Sequence, residues 1–465
     1  ENSGEIEVGD GGTGIYSTGG NVNSTGKINV GADKAVAIYA KGANQNITAH
    51  SGSTINLGNT SFGIINEGTN NKITSNIANI NNLGNDTVYI YSTDTKGRVT
   101  NNTNLKSTGY LNYGIYSAGT VENKGNIDFS SGYGNVGIYS IKGGNANNTG
   151  NITVGKTMEI STPTASDPTK TTTYYAIGMA AGYTPESGTG YTGNITNAGT
   201  INVNGDGGSI GMYGTERGTR VINNGTINLR ANNSVGMYLD NGAYGENNGT
   251  IQTIGTGLKK VTGVVIKNGS RFKNNGTVKL DHGVGLYGTN GSRIENTSNG
   301  VINVTNSGYG IVGMATGQTA QNYGKDAGAA GKAVEIVNNG QINVAGDNAI
   351  AIYADDNKGV ALNEITVTNT HKITVSGNRG VGIALRDSIN SGDGGIINVS
   401  GTGSSDIVTG TNGVGIYAEN SEVKLNSNYG IETKEGGVGI YAAKSSIPTA
   451  STLEYKYSGS TSGRG

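Results

Sequence analysis

The residue types that carry chemistry are sparse in this sequence, and their spacing argues against catalysis. Asp355-Asp356 is its one pair of adjacent carboxylates. An enzyme that cleaves polysaccharide in a groove needs two or three carboxylates converging on one bond. Neighbours on a strand point to opposite faces, so Asp355-Asp356 reads as a solvated turn rather than an acid–base pair. His50, His282 and His371 lie far apart and do not space as a metal trio. Gly205-Asp206-Gly207-Gly208 offers oxygens of the kind Ca²⁺ takes. Its relatives at Gly9 and Gly392 are not in tandem, so turn chemistry accounts for them better. No catalytic residue, metal or cofactor is expected, and the chain reads as a non-enzyme.

Composition narrows the field further. There is no Cys, which removes disulfides, zinc-thiolate sites, iron–sulfur clusters and thiol nucleophiles. Lys and Arg (32) balance Asp and Glu (33) without basic blocks, which argues against nucleic acid and against a polybasic membrane anchor. No apolar run is long enough for a spanning helix. Of 465 residues 82 are Gly and 62 Asn, but Gly does not recur every third position and Pro is scarce, so collagen is excluded. Low charge and 25 Tyr argue against disorder.

The tyrosines lie on a repeat. Gly-Ile-Tyr or a near variant recurs at Gly14, Gly114, Gly137, Gly211, Gly236, Gly285, Gly415 and Gly439. A second phrase, Gly-x-Ile-x-Val, begins at Gly199, Gly225, Gly249, Gly276 and Gly300, in steps of 26, 24, 27 and 24 residues. A fixed period in this range marks a solenoid. In Ile-Asn-Val apolar and polar residues alternate, as on a strand with one buried face. A third, weaker strand (Arg220-Val221-Ile222, Arg293-Ile294) precedes Asn-Asn-Gly corners. Gly and Asn tolerate the left-handed angles that sharp corners need.

Three short strands per 25 residues, with no helical periodicity, describe an all-β fold: a single-stranded parallel β-helix with inserted loops. Parallel crossovers make it right-handed. Roughly 17 coils at about 4.8 Å each would give a rod on the order of 80 Å. Ile, Val, Leu and Ala would line its interior. The recurrent Tyr then form either a packed ladder or an aromatic strip for sugar rings. The corner Asn are expected to form a hydrogen-bonded ladder.

Function in a solenoid is displayed where the repeat is interrupted. Residues 1–447 read as solenoid, with insertions near 155–175, 182–192, 315–332, 387–395 and 401–412; residues 448–465 read as a tail or linker. Three of the four Pro fall in 155–192. Receptor-contacting candidates are Tyr174, Tyr175, Tyr183 and Tyr191, with Gln321 and Tyr323 in the third insertion.

Gly-Val-Gly-Ile-Tyr-Ala at 413–418 and 437–442, and Asn-Asn-Gly-Thr-Ile-Asn-Leu at 223–229, resemble the passenger domains of type V autotransporters. The chain is most similar to the large fusobacterial autotransporter adhesins. That resemblance implies a right-handed β-helix on the bacterial surface, held at the outer membrane by a C-terminal barrel. It implies partners that are host receptors, glycans or other bacteria, and a monomeric passenger. Neither a signal segment nor barrel strands are recognisable, so a fragment is expected. Two other readings stand beside it: a carbohydrate-active β-helix enzyme, and a passive spacer whose binding tip lies elsewhere.

Overall fold

A computed structural model describes residues 1–164, 167–315, 334–356, 365–387, 395–426, 428–447 and 453–457. The chain divides into two compact units, Glu1–Gly236 and Met237–Gly465. Each is a parallel β-solenoid, and the described residues contain no helix. There are about 15 coils of roughly 26 residues rather than the 17 expected, because inserted loops consume chain that adds no coil.

The coils place their strands on three sides, and the second side is divided into a three-stranded sheet and a longer one. The first, here the tyrosine sheet, runs in the first unit through eight strands from Thr13–Ser17 to Ile210–Thr215. Its Ile or Met side chains point inward, as with wholly buried Ile90, Ile115, Ile138, Met179 and Met212. The Gly-x-Ile-x-Val phrase builds the second sheet, where Ile127, Ile152, Ile201 and Ile227 stack in register. In the second unit Val278, Ile302, Ile342, Ile373, Ile407 and Ile431 continue the same pattern. Burying one such side chain contributes about 2–3 kcal/mol, repeated at each coil.

The third sheet ends most of its strands on a buried Asn. In the first unit Asn101 Nδ2 donates to Asn123 Oδ1 (2.7 Å), Asn123 to Asn148 (2.8 Å), Asn148 to Asn197 and Asn197 to Asn223 (both 2.9 Å). The same amides also donate to the carbonyl two residues on, such as Gly125 O (2.8 Å) and Gly150 O (2.9 Å). Ahead of this row Ser75 takes the asparagine's place and bonds the hydroxyl of wholly buried Tyr89 (2.5 Å). In the second unit the row is Asn247, Asn274, Asn296, Asn338 and Asn369. It closes on the buried Tyr429 hydroxyl (2.9 Å). His371, where other coils have Gly, still offers its carbonyl to Asn369 (2.9 Å).

The corner glycines serve a purpose other than the one expected. Gly199 and Gly225 do not adopt left-handed angles. A Cβ on Gly199 would sit 2.1 Å from Gly150 O, and one on Gly225 2.0 Å from Gly199 O. Close coil-to-coil approach excludes a side chain there. Left-handed angles are found instead at other turns, at asparagines such as Asn233, Asn241, Asn268, Asn290 and Asn412, at glycines such as Gly242 and Gly269, and at other residue types such as Lys142 and Arg379.

On the outer face of the tyrosine sheet the aromatic rings stack coil upon coil. Tyr91 lies 5.1 Å from Tyr116 in a stacked pair, and Tyr116 5.3 Å from Tyr139 edge-on. Tyr417 stacks on Tyr441 at 5.2 Å. Desolvation, with Tyr91 and Tyr113 beside it, pushes the Tyr116 hydroxyl up to about 12. Tyr39, which donates to Glu67, is also raised to about 12 by that hydrogen bond and by burial.

Two outcomes follow. Asn148→Ala removes one of the two acceptors of the Asn123 amide and one of the two donors to Gly150 O, and leaves Asn197 Oδ1 without its donor in the interior. Urea unfolding should show a loss of about 3 kcal/mol. Tyrosine ionisation gives the second. Below the unfolded value of about 10 the tyrosine contribution is fully present; between pH 10 and 12 the folded chain holds more protons than the unfolded one, so stability falls. Urea midpoints should drop across that window, and less so in Tyr116→Phe.

Candidate functional site

The insertion at 155–175 is not an irregular loop. Met158–Ser161 and Thr171–Tyr174 pair antiparallel, Met158 opposite Tyr174 and Ser161 opposite Thr171. The Thr-rich run supplies β-branched residues suited to that pairing, and Thr162 and Thr172 hydroxyls meet at 2.9 Å. Pro163 and Pro168 fall beyond the paired residues, where no ladder bond is needed. Near the tip Asp167 Oδ1 accepts from Thr169 N (3.0 Å). Insertion 182–192 closes on itself through reciprocal backbone bonds between Tyr183 and Tyr191 (2.8 and 2.9 Å).

One strand of the tyrosine sheet, Ile177–Ala181, joins the two insertions. The first delivers Tyr174 and Tyr175 to its start, the second Tyr183 and Tyr191 to its end. All four rings are exposed, between 39% and 47%. Register places Ala180 beside Tyr139 on one neighbour and Tyr213 on the other, so the ladder lacks a ring at that coil. The gap becomes a cleft of about 290 Å³ lined by Asp86, Tyr113, Tyr139, Tyr174, Tyr175 and Tyr213, with Ala180 among the lining residues. Its volume is near the lower limit for small-ligand sites.

The surrounding rings are held rigidly. Tyr139 donates to Gly182 O (2.8 Å), which ties the ladder to the second insertion. Tyr113 stacks on Tyr139 at 6.3 Å. Burial raises the Tyr113 and Tyr139 hydroxyls well above the ordinary tyrosine value, so both remain neutral donors. Tyr174 is within electrostatic reach of Tyr113, and Tyr183 and Tyr191 of Tyr116. Lys142 Nζ stands 5.5 Å from the Tyr191 ring centre. Aromatic faces beside neutral hydroxyls and one carboxylate suit the apolar face and hydroxyls of a sugar ring.

The structure thus brings Tyr174 and Tyr175 into one cleft. Tyr183 and Tyr191 stand at the far end of the same strand and do not line it. Gln321 and Tyr323 lie outside the described residues, as does most of the insertions at 315–332 and 387–395. Within 401–412, Ile407–Thr409 is a strand of the coil, and Asp406 clamps the preceding turn by accepting from Thr402 N (3.0 Å) and Gly403 N (3.1 Å). Past residue 447, Leu453–Tyr457 pairs in parallel with Tyr429–Thr433. Asp86, Tyr113, Tyr139 and Tyr213 were not singled out from the sequence. The signal that identifies them is Ala180, standing where other coils carry Tyr.

The groups considered for chemistry remain apart. Asp355 is not in a solvated turn: it is buried in the strand Ile350–Asp356 and accepts from the Tyr353 hydroxyl (2.8 Å). That strand runs two residues past the usual phrase, which keeps Asp355 within the sheet, beside Arg386 of the next coil. Gly207 and Gly208 adopt left-handed angles, in keeping with a turn, and Asp206 pairs with Lys156 at 3.7 Å. Among the described residues no group of three or more His, Asp or Glu could hold a metal ion.

Residues 129–250, about a quarter of the chain, match the family model of the BigA third pectate lyase-like domain. No curated protein matches the chain. The matched segment contains both insertions and the whole Ile177–Ala181 strand. Together with the parallel solenoid, this similarity is consistent with a passenger domain and suggests a bacterial surface protein.

Proposed function

We propose that this chain is a surface-exposed bacterial adhesin segment, a rigid β-helical stalk that presents loops for attachment to host cells or to other bacteria. The observation that carries the reading is the cleft at Ala180, where two insertions set exposed tyrosines at the ends of one strand and the ladder opens. Tyrosine offers large contact area at low conformational cost, which suits it to receptor contact. A neutral sugar of a surface glycan is the occupant that this lining favours, because it holds one carboxylate, Asp86, and no Lys or Arg. The passenger acts as a monomer, and weak contacts multiply through many copies on one cell. The similarity over residues 129–250 supports a surface role.

The experiment is binding of the folded chain to a glycan array and to cells. Tyr174→Ala with Tyr175→Ala should lower neutral-glycan binding about tenfold, equivalent to about 1.4 kcal/mol, without changing thermal unfolding. Undiminished binding by the folded double variant would count against the cleft. Release of reducing ends from an array polysaccharide would replace the adhesive reading with an enzymatic one.

A further inference from the structure

Val265 opens one of three gaps in the ladder of the second unit, the others being at Val312 and Ala384. Val265 stands opposite Tyr287 in register, on the strand neighbouring that of Tyr238. The flanking tyrosine strands are therefore two spacings apart, about 9.6 Å, which admits one ring midway, about 4.8 Å from each aromatic neighbour. A cavity of about 640 Å³ lies at this gap. Tyr238, Val265 and Tyr287 contribute to its lining, with Lys260, Lys267 and Asn268. No Asp or Glu lines it, whereas Asp86 lines the cleft of the first unit. Lys267 Nζ stands 6.0 Å from the Tyr238 ring centre, so a positive charge is held at the mouth of the gap.

A buried hydroxyl adds an independent observation. Thr289, also in the lining, is 3% exposed, and its Oγ1 has no hydrogen-bond partner. The matching residue in the Gly-Met-Tyr-Gly-Thr phrase of the first unit, Thr215, meets the Thr184 hydroxyl at 2.7 Å. There the second insertion supplies the partner. At Thr289 no insertion supplies one, and the buried hydroxyl beside the gap keeps an unused hydrogen-bonding capacity.

We propose that the Val265 gap is a binding site for a pyranose that carries a carboxylate, its ring between Tyr238 and Tyr287 and its carboxylate on Lys260 and Lys267. The chemistry is shared by a terminal sialic acid and by a uronic acid within a chain. The proposal rests on the reading that gaps in the tyrosine ladder take sugars. It is separable from the Ala180 cleft because Tyr174 and Tyr175 variants leave this gap intact.

The test is calorimetric titration of the full chain with 3′-sialyllactose, tetragalacturonate and, as neutral control, lactose. At least one acidic sugar should bind about tenfold tighter than lactose, with an affinity that falls as salt rises. Binding of sialyllactose alone assigns a terminal acid, and of tetragalacturonate alone a uronate chain. Val265→Tyr restores the residue found at this position in neighbouring coils, so it should keep the unfolding temperature and lose acidic-sugar binding at least tenfold. Lys260→Gln with Lys267→Gln should erase the preference for acid over lactose. Equal affinity for acidic and neutral sugars, or full acidic-sugar affinity in folded Val265→Tyr, overturns the proposal. Should Val265→Tyr fail to fold, a double lysine variant that still prefers acid overturns it as well.

Discussion

A coil of this chain cannot bury its own polar corner, and the stacked asparagine amides solve that problem. Each of Asn101, Asn123, Asn148 and Asn197 donates one hydrogen to the next coil and one to its own corner carbonyl. An amide that spends both hydrogens in the interior pins the distance between coils at one strand spacing. Isoleucines on the adjoining sheet stack at the same spacing, Ile201 beside Ile152 and Ile227. Buried tyrosines take over where the row lacks asparagine: Tyr89 bonds Ser75, and Tyr429 receives the last amide of the second unit. Tyr89 occupies the place of the phrase's usual glycine, and its volume fills the room that a serine leaves.

The tyrosine sheet uses the same repeat on its outer side. Stacked rings such as Tyr91 and Tyr116 cover the sheet and shield one another from water, which is why their hydroxyls resist ionisation. A ladder whose rungs are rings turns a single small residue into a slot of defined width. Ala180 and Val265 are such residues, and each lies in a cavity lined by the tyrosines of both neighbouring coils. What differs is the charge brought to the slot: Asp86 at one, Lys260 and Lys267 at the other.

Period, strand alternation and the Asn-Asn-Gly phrase made the solenoid legible before any coordinates, down to the stacked corner asparagines. The insertion at 155–192 was also legible, from its prolines and the loss of the Gly-x-Ile phrase. The internal pairing of Met158–Ser161 with Thr171–Tyr174 was not, because a Thr-rich run between prolines carries no period that distinguishes a hairpin from a loop. The role assigned to the corner glycines was misread for a related reason. Composition identifies a residue that can turn left-handed, whereas at Gly199 and Gly225 the constraint is a carbonyl one coil away.

By itself the sequence determined the repeat and which residues face inward. These follow from period-2 alternation within strands of two to seven residues. Tertiary structure decided which residues meet across coils: Ala180 between Tyr139 and Tyr213, and Thr184 on Thr215. Those neighbours are separated by tens of residues, and insertions make the separation irregular, 41 between Tyr139 and Ala180 but 33 between Ala180 and Tyr213. Register is set by hydrogen bonds between coils, and only the folded stack contains them.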